Sequence, residues 1–389
     1  MKSLLKIVLR EWKLILTKKS YYMILLVMPT LLFLLYSMIY NAQALHNIPV
    51  AIWDQDQTEL SRILTRQYAS SPLVKIAYQV HSQSEIEALM ANNKIQGAVI
   101  IPRNLEANVY SSKISSVSFI RNATNIIFAE LLYKAFAEVT LTVNAGVIME
   151  RFTHTGVPSR SSLQLANPVN LTTHSLYNPT YNYQNYLVPG LMTVGLQMMI
   201  IMICVLIINS EKEEGAFKEL IQLANGSTSL LLLGKITAHY LAGMLNVLLI
   251  FGVFFAYFSI PVLENFSELF ILFSLLVLAC VSIGVLVSVV FPESLMASDI
   301  ALFYTSPAFV FSGFTFPRWA MPWYDQYYAN LMPYTPFLDG FIKVYQMNAP
   351  LGALTPHLLS LVWFITIPLS IGWALLKIQI QNAKNLSLT

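Results

Sequence analysis

Apolar residues along this chain collect in six long blocks, and the acidic and basic residues lie between them. The blocks are Tyr21–Tyr40, Tyr186–Ile208, Ile236–Ile260, Leu269–Phe291, Ile300–Phe316 and Thr355–Leu376. A bilayer core of about 30 Å is crossed by ~20 apolar residues in helix, so the pattern predicts six transmembrane helices. The fifth block is the shortest and contains Pro307, which predicts a tilted or broken span.

Between the first two blocks the pattern changes. Ile48–Asp54, Val74–Val80, Gln96–Pro102 and Val117–Arg121 are short apolar runs bounded by turn residues, and they predict strands. Thr58–Ala69 carries Leu60, Ile63, Leu64 and Tyr68 at helical spacing. Ser84-Glu85-Ile86-Glu87 reads as a capping box opening a second helix, and Asn125–Phe152 as one long helix. This alternation predicts a mixed α/β domain over 41–185, inserted between spans 21–40 and 186–208. The Tyr-rich end of that segment suits an interfacial aromatic belt better than a carbohydrate platform.

Composition agrees with a membrane protein: of 389 residues, 56% are apolar and 11% charged, with a mean hydropathy of +0.59. The net charge of +3 is too small to suggest nucleic-acid binding. Its distribution is more informative. Lys2, Lys6, Arg10, Lys13, Lys18 and Lys19 precede the first block; Lys212, Lys218 and Lys235 lie between the second and third; Lys377 and Lys384 follow the sixth. Only Arg318 and Lys343 occupy the short segments on the other side, so the positive-inside rule places both termini in the cytoplasm and 41–185 outside.

Ala42-Gln43-Ala44 could mark signal-peptide cleavage, but the first block is longer than the ~7–15 residues of a signal core. Residues 1–20 carry Leu5, Val8, Leu9, Trp12 and Ile15 at helical spacing, which predicts an amphipathic helix on the inner leaflet. The sequons at Asn122 and Asn170 bear on glycosylation only in a secretory-pathway host.

No catalytic constellation stands out. Gly-x-Ser-x-Gly, His-Glu-x-x-His and Gly-x-x-x-x-Gly-Lys-Ser/Thr are absent, and the six histidines are scattered. Cys204 and Cys280 lie inside apolar blocks and read as small lipid- or helix-facing residues. No metal, cofactor or catalytic residue is therefore expected, and the chain is not expected to be an enzyme. Lys235 and Asp299 sit at span edges from which long side chains snorkel, His239 lies one turn deeper, and Asn246 is mid-span. Interhelical hydrogen bonding is the simpler reading of these residues, with an ion or proton relay as the alternative.

The densest charge lies in Ser210–Leu220, SEKEEGAFKEL, where six of eleven residues are charged. Glu214 and Lys218 form an i,i+4 pair, while Phe217, Leu220, Ile221 and Ala224 form an apolar stripe. Gly215 supplies a bend, and Asn225-Gly226-Ser227-Thr228 ends the helix before the next span. An apolar ridge framed by charge suits a helix-in-groove contact with a soluble partner. A helix lying on lipid is the competing reading, disfavoured by four acids against two bases.

EKEEGAFKELIQLANGSTSLLLLGKITAHY resembles the cytoplasmic loop of ABC-2 type exporter membrane subunits, with Glu211, Glu213, Gly215, Leu220, Gly234 and Lys235 at matching positions. Ala216 replaces the usual Thr or Ser, and the turn lacks its usual Pro. REWKLIL…MPTLLFL, IPVAIWDQDQTELSR…IQGAVIIP and FSGFTFPRWAMPWYDQYYANLMPYTPFLDGF are similar to the same family, in its subgroup with a large domain after the first span.

The resemblance implies a polytopic α-helical permease in a bacterial inner (plasma) membrane, with these segments: a cytoplasmic helix 1–20; spans 21–40, 186–208, 229–260, 269–291, 299–316 and 355–376; a coupling helix 209–228; an outer re-entrant region 317–354; and a tail 377–389. It implies dimerisation with a second permease copy, identical or a close paralogue, with spans two and five near the dimer axis. ATP would be bound by a separate cytoplasmic ATP-binding cassette subunit, and a periplasmic adaptor could meet the outer domain. The implied coupling residues are Glu211, Glu213, Glu214, Gly215, Phe217, Leu220 and Ile221. The implied function is export of a drug, lipid or glycoconjugate. A membrane-anchored receptor with a ligand-binding outer domain is the alternative, weakened by the amount of membrane-embedded chain.

Overall fold

The structure, a computed structural model, describes residues 2–40, 45–156, 158–166, 174, 176–179, 182–260 and 266–385. The Ala42-Gln43-Ala44 and Asn170-Leu171-Thr172 motifs lie outside the described residues, as does Tyr181 of the predicted aromatic belt. The chain divides into two compact units, Met1–Gln43 with Ser175–Thr389, and Ala44–His174.

In the first unit six helices are long and apolar enough to cross a membrane: Lys19–Ile39, Gln184–Glu213, Thr228–Phe255, Phe266–Val290, Ser294–Phe311 and Leu351–Ala383. The second, third and fourth are the most covered by neighbours, and the first, fifth and sixth form the rim. Close approach in the centre depends on small residues, as expected where lipid supplies no hydrophobic drive. A β-carbon added at Gly284 would lie 2.3 Å from the Cys204 β-carbon. Both cysteines are buried among helices. Asn246 donates to the Leu25 carbonyl at 2.8 Å, where a π-helical stretch, Met23–Val27, widens the first span. This is the interhelical bonding expected of a mid-span amide.

The fifth span starts at Ser294, five residues before the expected 299, and it breaks at Pro307 into Ser294–Thr305 and Ala308–Phe311. Beyond it, prolines divide 317–354 into short helices, Trp323–Asn330 and Tyr334–Tyr345 being the longest. These fold back onto the spans. The Tyr334 hydroxyl lies 2.9 Å from Thr193 Oγ1 and donates to the Gly190 carbonyl at 2.9 Å, while Tyr304 donates to the Leu331 carbonyl at 2.7 Å.

The second unit holds a four-stranded sheet in the order β2-β1-β3-β4, with β1 Ile48–Asp54, β2 Val74–Gln79, β3 Gly97–Ile101 and β4 Ser118–Arg121. β1 is parallel to both β2 and β3, and β4 is antiparallel to β3. Strand alternation gives the sheet two apolar faces. Val50, Ile52, Val99 and Ile101 meet helices Glu59–Ser70 and Ile126–His154, while Ala51 and Ala98 meet Ile86 and Ile95.

The second helix of this unit, Gln83–Ala91, starts two residues earlier than the proposed capping box implies. Its cap is Ser82, whose hydroxyl accepts from the Glu85 amide at 3.2 Å, while the Glu85 carboxylate accepts from the His81 amide at 2.9 Å. The helix Leu105–Tyr110 had no predictor in the sequence. Its first amides, Leu105 and Glu106, donate to the Asp56 carboxylate at 3.0 and 3.1 Å, so a distant residue starts it.

Candidate coupling site

The charged connector between the second and third spans is built from three breaks. Helix Tyr183–Cys204 gives way to a tight turn over 205–208, where Ser288 Oγ of the fourth span accepts from the Ile208 and Asn209 amides at 2.8 and 3.1 Å. Helix re-forms over Asn209–Glu213, then turns at Gly215, whose φ of +74° suits a residue without a side chain. A short helix, Phe217–Leu223, follows. Ser227 then caps the third span by accepting from the Leu230 amide.

Each of the four residues 211–214 is fixed to a different element. Glu211 accepts both arms of the Arg10 guanidinium at 2.6 and 2.7 Å, and it also accepts from Lys235 Nζ at 3.0 Å. Lys212 donates to Gln379 Oε1 of the sixth helix at 2.7 Å. Glu213 accepts from the Ser294 amide and hydroxyl at 2.7 and 2.6 Å, capping the fifth span and moving its start forward. Glu214 pairs with Lys18 just before the first span, at 2.5 Å.

Lys235 does not snorkel. It is 1% exposed and donates to Glu11 at 2.7 Å, so Arg10, Glu11, Glu211 and Lys235 form a neutral ionic quartet joining the N-terminal helix, second span and third span. Burial of an ammonium requires such pairing. The bonded Glu211 carboxylate raises the Arg10 pKa further above its ordinary value. His239 Nδ1 lies 3.0 Å from the Lys235 carbonyl, and its ring meets Tyr21 edge-on. Asp299 is exposed on the fifth span, away from this cluster.

The N-terminal helix, Lys2–Thr17, carries two apolar sides rather than the single stripe expected. Ile7, Glu11 and Ile15 are buried. Ile7 lies against Gly234, where an added β-carbon would be 2.5 Å from the Ile7 methyl. Leu5 and Leu9 are exposed on another side, so the predicted stripe is split between a protein contact and a free face.

The expected docking ridge lies largely inside the bundle. Leu220 is fully buried and Ile221 nearly so, inside the core that includes Ile7 and Leu231. Phe217 is half-buried beneath Lys212 Nζ, which stands 5.5 Å from its ring centre. The stripe is covered by the protein's own helices. What faces outward is Glu214, Gly215, Lys218, Glu219 and Gln222. The sequence reading missed Arg10 and Glu11 as partners, although a lone acid on a basic amphipathic helix was a signal of a specific counter-charge.

Six helices long and apolar enough to cross a bilayer, with the charged connector between the second and third tied into the bundle, define a multi-pass membrane protein. The model for "ABC-2 family transporter protein" matches residues 19–374, and the chain belongs to that family. It is 24% identical over 329 residues to the probable multidrug ABC transporter permease YbhS of Escherichia coli K12, covering 80% of each chain. It is 19% identical over 335 residues to the probable multidrug ABC transporter permease YbhR of the same organism, covering 86% of this chain and 88% of that one. Membrane subunits of this family are not themselves ATPases and work with an ATP-binding cassette partner.

Proposed function

We propose that this chain is the permease subunit of an ATP-driven exporter in a bacterial inner membrane, with both termini cytoplasmic and the α/β unit outside. ATP is bound by a separate cassette subunit that docks on the outward face of 214–222. The permease works as a pair with a second copy or close paralogue, and an adaptor could meet the α/β unit. The cargo is a drug, lipid or glycoconjugate leaving the cytoplasm or inner leaflet, in keeping with the multidrug designation of YbhS and YbhR.

The supporting observation is the fourfold attachment of residues 211–214 to the N-terminal helix, third, fifth and sixth helices. A push on Phe217–Leu223 reaches all of them, because the buried Leu220 and Ile221 fix that helix to the bundle. Glu211, Glu213 and Glu214 transmit the push, Gly215 sets the angle, and Phe217 and Lys212 brace it. Reversing the exposed pair, Lys218→Glu with Glu219→Lys, is expected to lower ATPase retained in a pull-down about tenfold, equivalent to ~1.4 kcal/mol. ATP-driven transport by vesicles of the reconstituted complex should fall in step. Undiminished retention and transport by this variant would defeat the docking assignment.

A further inference from the structure

Two cavities of the helical unit share Asn330 as a wall residue. One, about 550 Å³, is an apolar slot between the fourth, fifth and sixth spans, walled by Leu286, Ile300, Tyr304, Trp363 and Ile367. The other, about 540 Å³, is a polar chamber whose walls include Ser312, Arg318, Gln326 and Asp339. Both volumes fall in the range of small-molecule sites, about 300–1,000 Å³.

Depth distinguishes the two. Slot residues Ser360–Pro368 lie roughly 14–26 Å along a sixth helix ~50 Å long, the middle of a bilayer-crossing element. The chamber is lined by Trp319 and by Gln326, whose short helix Trp323–Asn330 carries Trp323, Tyr324 and Tyr327, exposed aromatics of the kind that mark the headgroup level. An apolar slot at hydrocarbon depth and a polar chamber at headgroup depth, with Asn330 in the wall of both, have the layout of a single amphiphile. Arg318 and Asp339 pair with each other across the chamber and offer both signs of charge at once.

We propose that this double cavity binds one zwitterionic glycerophospholipid of the bilayer. Its phosphate takes the Arg318 guanidinium, its ammonium takes Asp339, and an acyl chain passes Asn330 into the slot. Arg318 and Asp339 exchange one ion pair for two, so the head group meets no unpaired buried charge. The site requires no ATPase, and its occupancy is measured on the permease alone, so its failure leaves the coupling assignment untouched.

The test is native mass spectrometry of the full chain, reconstituted in an equimolar mixture of phosphatidylethanolamine and phosphatidylglycerol and then extracted in mild detergent. Wild type is expected to retain one phosphatidylethanolamine per chain. Ile367→Trp, which fills the slot, should lower retention about tenfold, the effect of displacing two buried methylenes. Ile378→Trp, at an exposed position further along the same helix, should leave it unchanged. Asp339→Asn should keep a bound lipid but lose the preference for phosphatidylethanolamine. The proposal fails if wild type retains no lipid, if Ile367→Trp and Ile378→Trp behave alike, or if Asp339→Asn keeps the preference. It also fails if Ile367→Trp converts a dimer to a monomer without changing retained lipid, because the slot then seats a second copy.

Discussion

Replacing Lys235 with Met is the sharpest test of the buried quartet. Lys235 Nζ lies 2.7 Å from Glu11 and 3.0 Å from Glu211, and all three side chains are at most 4% exposed. At an effective dielectric of ~20, the 2.7 Å contact is worth about 6 kcal/mol of attraction, set against several kcal/mol of desolvation per ion. Removing the lysine leaves two buried carboxylates sharing one guanidinium, and loss of one partner of a buried pair costs about 3–5 kcal/mol. Lys235→Met with Glu11→Gln restores neutrality around the intact Arg10–Glu211 fork. The double variant should therefore be more stable than the sum of its parts by about 1–3 kcal/mol. Reversible unfolding in mixed micelles, followed by tryptophan fluorescence, measures all three variants. A loss below ~0.5 kcal/mol for Lys235→Met, the behaviour of a surface site, would mean that the lysine reaches water and the quartet does not form.

Other outcomes follow from single contacts. Gly215→Ala meets no neighbour within 4 Å, so its cost is backbone alone, roughly 1–2 kcal/mol, and Gly215→Asn should cost less; hydrogen exchange over 209–223 reads both. Gly234→Val drives a side chain into Ile7 and should cost about 1–3 kcal/mol by the same micelle unfolding, with partial rescue by Ile7→Ala. Asp56→Ala removes the acceptor of two helix-starting amides and should cost about 1–2 kcal/mol, seen as faster exchange over 105–110; unchanged exchange there would refute the capping role.

The spans were legible because their length is dictated by the bilayer, and the strands because alternation and flanking turns agree. The charged connector was legible as an element but not in its bonding. Glu11 and Lys235 are 224 residues apart, and Arg10 and Glu211 are 201 apart, so no local pattern links them. The stripe Phe217, Leu220, Ile221 illustrates a general limit. Helical periodicity states that one face is covered, and the covering surface here is Ile7 and its neighbours rather than another protein. The Gln83–Ala91 cap slipped by two residues because Ser82 and Ser84 each offer a hydroxyl with a glutamate three residues on, so the sequence supports both boxes and the fold uses Ser82 with Glu85.

The separation within the quartet also bears on how the protein is made. Ribosomes add about 5–20 residues per second, so Glu11 emerges roughly 10–45 s before Lys235. For most of that interval the N-terminal helix has neither its glutamate nor its lysine partner, because Glu211 emerges only 24 residues before Lys235, and the helix must wait at the water boundary. The third span then enters the bilayer carrying a cation that is costly to bury alone. Docking of the N-terminal helix is thus a late step in biogenesis, and its completion records that the first three spans have been inserted in the correct order.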